Sequence, residues 1–145
     1  MVAGKLTLEE KQKLVEAIHH AEHGTTSELR VHFSYAEKEE NTLAAAKAHF
    51  AALGMQQTTE RNGMLLYINP KLRKFSVFGD KGIHEKVKQE FWDQLSHDLT
   101  GAIREKSLVG GVVHAIGIMG KAMHAHFPVT NKHPNELPDD ITESE

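Results

Sequence analysis

Asp80 is the residue with the clearest chemical potential in this chain. It lies in Gly79-Asp80-Lys81-Gly82, between a short apolar run, Phe75-Ser76-Val77-Phe78, and a stretch of helical periodicity. A carboxylate in such a turn, after a strand and before a helix, sits where open α/β sheets keep their ligands. Two roles suit it and the residues leave both open. One is an oxygen ligand to a hard cation, helped by carbonyls of the glycine turn. The other is an Asx-turn or an N-cap of the next helix. Three more carboxylates can join the first role. Glu28 follows Thr25-Thr26-Ser27 at the start of an early strand, Glu60 precedes the central strand, and Asp93 follows Trp92 just off the apolar stripe of a long helix. Together they would make an acidic cluster of the kind Ca²⁺ or Mg²⁺ needs, and an irregular, loop-built oxygen cage suits calcium better than magnesium.

Other chemistries find less support. His19 and His23 are spaced i, i+4, and His124, His126 and His133 gather near the end, but the HExxH signature is absent and no third zinc ligand is evident. The eleven histidines therefore read as scattered, solvated residues. There is no P-loop, GxSxG elbow or GxGxxG fingerprint. Ser27, Ser76, Ser96 and Ser107 lack any local sign of nucleophile activation.

The elements that must position these residues follow from periodicity and caps. Thr7-Leu8-Glu9-Glu10 fits a capping box opening a helix with Leu14, Val15, Ile18 and Ala21 on its apolar face, and Gly24 is its stop. Glu28 to Tyr35 alternates as a strand with one better-buried face. Thr42 to Leu53 is a second helix ended by Gly54. Met64 to Ile68, unbroken in apolar character, predicts an interior strand covered on both faces. Asn69 to Lys74 suits a hairpin return into Phe75 to Phe78, and Gly79 and Gly82 permit backbone angles closed to other residues.

A third helix is expected over about Ile83 to Arg104, with Ile83, Val87, Phe91, Leu95 and Leu99 inward. A fourth is expected over Leu108 to His126, where Gly110, Gly111, Gly117 and Gly120 would let it approach the sheet closely. Helix, strand, helix, strand, strand, helix, helix gives a three-layer α/β sandwich around a small mixed sheet. Residues 1–127 read as a single domain. Residues 128–145 read as an extended acidic tail: Lys132 to Pro138 is held extended by prolines, and Asp139 to Glu145 has too little apolar surface to stay ordered.

Composition bounds the rest. The 145 residues suffice for one core without staples, and the absence of cysteine excludes disulfides and thiolate metal sites. A formal net charge of −3 with scattered Lys and Arg argues against a nucleic-acid partner. No uninterrupted apolar run is long enough to span a bilayer, and the start lacks a signal-peptide pattern, so a cytoplasmic, monomeric protein is expected.

At these residues the chain resembles the TPM domain family. The likeness is carried by Asn62-Gly63-Met64-Leu65-Leu66 opening the central strand, the basic hairpin, and Val77-Phe78-Gly79-Asp80-Lys81-Gly82-Ile83, with Thr26-Ser27-Glu28-Leu29-Arg30-Val31 upstream. It covers roughly residues 6 to 127. The resemblance implies a Rossmann-like α/β/α sandwich with a surface crevice that binds divalent cations, calcium above all, through acidic residues. It also implies a weak acid-phosphatase activity. Many members carry a signal peptide and a C-terminal anchor, so this chain looks like a stand-alone soluble bacterial form. Members often place Asp directly before the Asn-Gly, where Arg61 stands here.

Two functions follow. One is a binding or regulatory module that takes calcium through Asp80 and Glu28, with Asp93 and Glu60 as further ligands, beside an unidentified protein partner. The alternative is a metal-assisted phosphomonoesterase at the same crevice, with Arg30 or Arg61 holding the phosphate. No nucleophile or two-metal ligand set supports the second, which favours binding.

Overall fold

The computed structural model describes residues 5–129 and 141–144. Helix α1, Leu8–Glu22, opens with the expected capping box: Glu10 N–H donates to Thr7 Oγ1 at 3.1 Å and Thr7 N–H to Glu10 Oε1 at 2.9 Å. Such a cap contributes about 1 kcal/mol. Strand β1, Leu29–Ser34, leads to α2, Thr42–Ala52, capped by Asn41. Strands β2, Met64–Asn69, and β3, Lys74–Gly79, form the hairpin. Helices α3, Lys81–Glu105, and α4, Leu108–His126, follow, and β4, Ile141–Ser144, completes the sheet.

The sheet runs β3-β2-β1-β4, with β1 parallel to both neighbours and β2 antiparallel to β3. It is the mixed sheet of the expected α/β/α sandwich. On one face Leu29, Val31, Phe33, Met64, Leu66 and Ile68 meet α1, α3 and α4 in the main core. On the other, Leu65 and Tyr67 meet Ala46 and Phe50 of α2 in a smaller one. Helix α4 is apolar and long enough by composition to cross a membrane, yet Val112, Ala115, Ile116, Met119 and Met123 are buried in the main core. It is a core helix.

Four expectations change. First, β1 is buried along its whole length rather than on one face. Its polar residues Arg30, His32 and Ser34 are buried as well, with His32 against His49 of α2 and Ser34 Oγ donating to Glu39 in the loop before that helix.

Second, residues 141–144, expected to be loose, pair with Val31 to Ser34 of β1. Ile141 reaches the main core, and Glu143 accepts from Tyr35 Oη at 2.8 Å and pairs with Lys11 Nζ at 2.8 Å. Backbone pairing and two polar anchors hold a segment that its own apolar content would not. The expected proline-extended stretch, Lys132 to Pro138, lies outside the described residues.

Third, neither Gly79 nor Gly82 has a positive φ. Their service is the missing Cβ: one on Gly79 would overlap the Trp92 ring, and one on Gly82 would overlap Glu60 O and lie 2.6 Å from Arg61 O. Two glycines of α4, Gly111 and Gly120, likewise bring it to helices, not to the sheet. A Cβ on Gly120 would meet Ala21 of α1 at 2.9 Å, and one on Gly111 would meet Ile103 of α3 at 2.6 Å.

Fourth, α3 is broken at Lys88, with φ 64° and ψ 176°. Just beyond the break Trp92 is buried where Phe91 was expected and Phe91 is only partly covered, while Ile83, Leu95 and Leu99 are inward as expected.

Candidate functional site

Strand register gathers three of the four expected carboxylates at one end of the sheet. Leu29 is level with Met64, and Met64 with Gly79, so Glu28, Gly63 and Asp80 stand side by side just beyond the three strands. Met64 N–H donates to Glu28 O at 2.8 Å, and Asp80 N–H to Gly63 O at 2.9 Å. This end is the amino end of the parallel strands β1 and β2 and the carboxyl end of β3. Ligands of open α/β sheets usually sit at the carboxyl ends of the parallel strands. The antiparallel β3 brings Asp80 to the other side.

The three hydroxyl residues before β1 tie this rim together, Thr25 to the end of α4 and Thr26 and Ser27 to the loop before β2. Thr25 Oγ1 donates to Phe127 O at 2.6 Å and so closes the end of α4. Thr26 Oγ1 donates to Glu60 Oε2, and Ser27 Oγ donates to Asn62 O at 2.6 Å. Asn62 Nδ2 donates to Thr26 Oγ1 at 3.1 Å and to Glu60 Oε2 at 3.3 Å. The loop bearing Glu60 is pressed onto the start of α3, where Gly82 N–H donates to Arg61 O at 2.7 Å.

Asp80 is the N-cap of α3, accepting from Lys81 N–H at 2.8 Å. Its carboxylate is buried and also receives Arg61: Nε lies 2.6 Å from Oδ2 and Nη2 2.8 Å from Oδ1. That hydrogen-bonded carboxylate holds the guanidinium above its ordinary pKa. Arg61 takes φ 52°, a value uncommon for arginine, and its side chain makes a forked pair with the carboxylate. Glu28 is buried behind the rim. Asp93 does not join the others. It is exposed, more than three turns further along α3, and accepts from Gln89 Nε2 at 3.0 Å.

The donors are of the right chemical type for a hard cation, but they are not a preformed cage. Among the described residues no group of three or more His, Cys, Asp or Glu side chains is close enough to hold a metal. Asp80 meets a cation already, the Arg61 guanidinium, whose side chain is 38% exposed and has room to swing outward.

A second polar constellation, which the strand reading missed, lies between β1 and α2. The His32 ring lies against His49, with centroids 3.6 Å apart and planes tilted by 35°, and faces Tyr67 at 5.3 Å. His32 Nδ1 is 2.6 Å from Thr142 Oγ1, and Nε2 is 2.8 Å from Ser144 Oγ, so both ring nitrogens are spent on β4. Burial, with His49 and Arg30 nearby, pushes the His32 pKa down to about 4. Tyr67 donates to Glu39, which also accepts from Asn69 Nδ2 at 2.8 Å, and burial with that bond raises the phenol to about 12. Arg30, one of the two expected phosphate holders, is buried here rather than at the rim. The unbroken apolar run of β2 carried the missing signal, since a sheet covered on both faces leaves no solvated side for its neighbour.

Fold and rim define a small α/β/α domain with three carboxylates, Glu28, Glu60 and Asp80, at the amino end of its parallel strands. Residues 2–122 match the family model described as the TPM domain, and the chain belongs to that family. No curated protein matches it. Its fold is similar to the NMR structure of the BA42 protein from the psychrophilic bacterium Bizionia argentinensis, with TM-score 0.88 and 31% identity over 99% of this chain and 98% of that one. The N-terminal domain of the cg2496 protein from Corynebacterium glutamicum shares the fold at TM-score 0.66 and 11% identity, over 93% of this chain and 85% of that one. The N-terminal domain of a protein from P. gingivalis does so at 0.60 and 15%, over 91% and 85%.

Proposed function

We propose that this TPM domain is a binding module that takes a divalent cation, calcium, at the amino-end crevice, with Asp80, Glu28 and Glu60 as its carboxylates. The observation that supports this most is the register that sets Glu28 and Asp80 at one end of the sheet, to which Thr26 ties Glu60. The Arg61 guanidinium already occupies Asp80, so the crevice attracts positive charge, and calcium must displace an internal competitor to bind. Binding is therefore weak and responsive to whatever moves Arg61. Asp93, exposed and paired with Gln89, contributes only if α3 rearranges. The phosphatase alternative draws less support, because Arg61 is committed to Asp80 and Arg30 lies buried under α2. The domain works as a soluble cytoplasmic monomer on this reading, with α4 absorbed in the core rather than in a bilayer.

Calcium titration followed residue by residue in NMR tests the reading, with magnesium and zinc as comparisons. Shifts should concentrate at residues 26–28, 60–63 and 79–82. Asp80→Asn keeps the helix cap, since Asn caps as well as Asp, yet should abolish most of the response. Glu28→Gln should weaken it, and Asp98→Asn, a change far along α3, should not. A wild-type spectrum unmoved at millimolar calcium would remove the proposal.

A further inference from the structure

We infer that the cleft at the opposite end of β2 binds a small organic anion, an oxyanion head on a short apolar body. This cleft has a volume of about 680 Å³, within the usual range for small-molecule sites. It opens between the β2–β3 hairpin, the segment before α1, and the junction of α3 with α4. It thus lies at the carboxyl end of β2, the end of a parallel strand where ligands of α/β sheets are usually found. The acidic crevice occupies the other end of the same strand.

Its lining divides by chemistry. Ile68 and Phe75 from the two strands and Ile103 and Leu108 from the helices give an apolar wall, all of them residues of or against the main core. Lys5, Arg73, Lys74 and Arg104 supply four positive charges against one carboxylate, Glu10, which is already committed to the capping box of α1. Arg73, Lys74 and Arg104 make no ion pair among the described residues, which for three cations around one cleft leaves a strong field to be neutralised. Arg73 is held at φ 54° in the hairpin loop, a backbone cost that fixes where its side chain departs. The 19-residue helix α4 begins in the same wall at Leu108 and Val109, so its first-turn N–H groups and dipole add to the positive field.

Guanidinium groups on two different elements suit the planar fork of an oxyanion, and the apolar wall excludes a bare hydrated ion as the best ligand. The cleft binds without cleaving. Its two hydroxyls are occupied, Ser107 Oγ as the N-cap of α4 at 2.9 Å from Gly110 N and Thr100 Oγ1 donating to Ser96 O at 2.9 Å.

The test is an NMR titration of the intact chain with phenylacetate and phenyl phosphate, which place two oxyanion heads on one kind of body. Inorganic phosphate is the head alone and benzyl alcohol the body alone. At least one of the two complete ligands should saturate, shift Phe75 and residues 107–110, and bind about tenfold more tightly than either fragment. The tighter of the two identifies the head group. Arg104→Gln and Arg73→Gln should each weaken that binding by about tenfold. Both residues are exposed, so the variants should fold. Lys71→Gln, on the same hairpin but outside the cleft, should leave it unchanged. Binding that fails to saturate, that benzyl alcohol reproduces, or that ignores both glutamine variants would overturn the inference. A calcium titration of Arg104→Gln should match wild type, which separates this site from the acidic crevice.

Discussion

His32 of β1 and His49 of α2 lie ring against ring, 3.6 Å between centroids with their planes tilted by 35°. Burial lowers the pKa of both, and the neighbouring His49 adds to the effect at His32, which falls to about 4. Arg30 reinforces the effect at both rings, while Glu39 and Glu143 oppose it at His32.

The consequence is a stability that falls in mild acid. Unfolded histidine takes up its proton near pH 6.5, whereas folded His32 resists until about 4. The contribution of neutral His32 is thus fully present above pH 6.5 and lost as pH falls through 4. The thermal midpoint should decline across that window, and His32→Gln should flatten the decline. A midpoint independent of pH between about 7 and 4.5 would contradict the burial of an uncharged ring.

Ending the chain after residue 140 should lower stability by roughly 3 kcal/mol, the order expected for losing several ladder and side-chain hydrogen bonds at a buried edge. The truncation removes the β4 pairing, the two hydroxyls on His32, and the Glu143 contacts with Tyr35 and Lys11. Chemical denaturation of the two chain lengths measures it, and equal midpoints would mean that β4 adds nothing in solution.

Two glycine substitutions should move stability in opposite directions. Gly82→Ala drives a Cβ into Glu60 O and should cost about 2–3 kcal/mol, with the Glu60 loop displaced. Gly117→Ala meets nothing within 4 Å on α4 and should add about 0.5–1 kcal/mol through helix propensity. Thermal unfolding of the pair decides whether contact or propensity governs each position.

Arg61→Asn should strengthen calcium binding by about tenfold, because it removes the cation competing for Asp80. Asparagine also tolerates the φ of 52° at this position. Calorimetric titration of the variant beside wild type checks this, and an unchanged affinity would show that Arg61 does not compete.

The sequence by itself determined the elements whose signals are local. The capping box at Thr7 and Glu10, the unbroken run from Met64 to Ile68, and the span of α4 from Leu108 to His126 each depend on neighbours within a few residues, and each stands as expected. The likeness around Asn62-Gly63 and Gly79 to Ile83 carried the family in the same way. What only the tertiary structure decided depends on residues distant in the chain. Which end of the sheet holds Asp80 followed from β3 running antiparallel to β2. Whether Asp80 stood free followed from Arg61, nineteen positions away, folding back onto it. The fate of 141–144 rested on an open edge of β1, and that of Arg30 and His32 on the covering helix α2. Periodicity records a residue's preference for an interior. It carries no record of which partner will meet it there, because pairing and layer order are set by contacts that the local pattern does not encode.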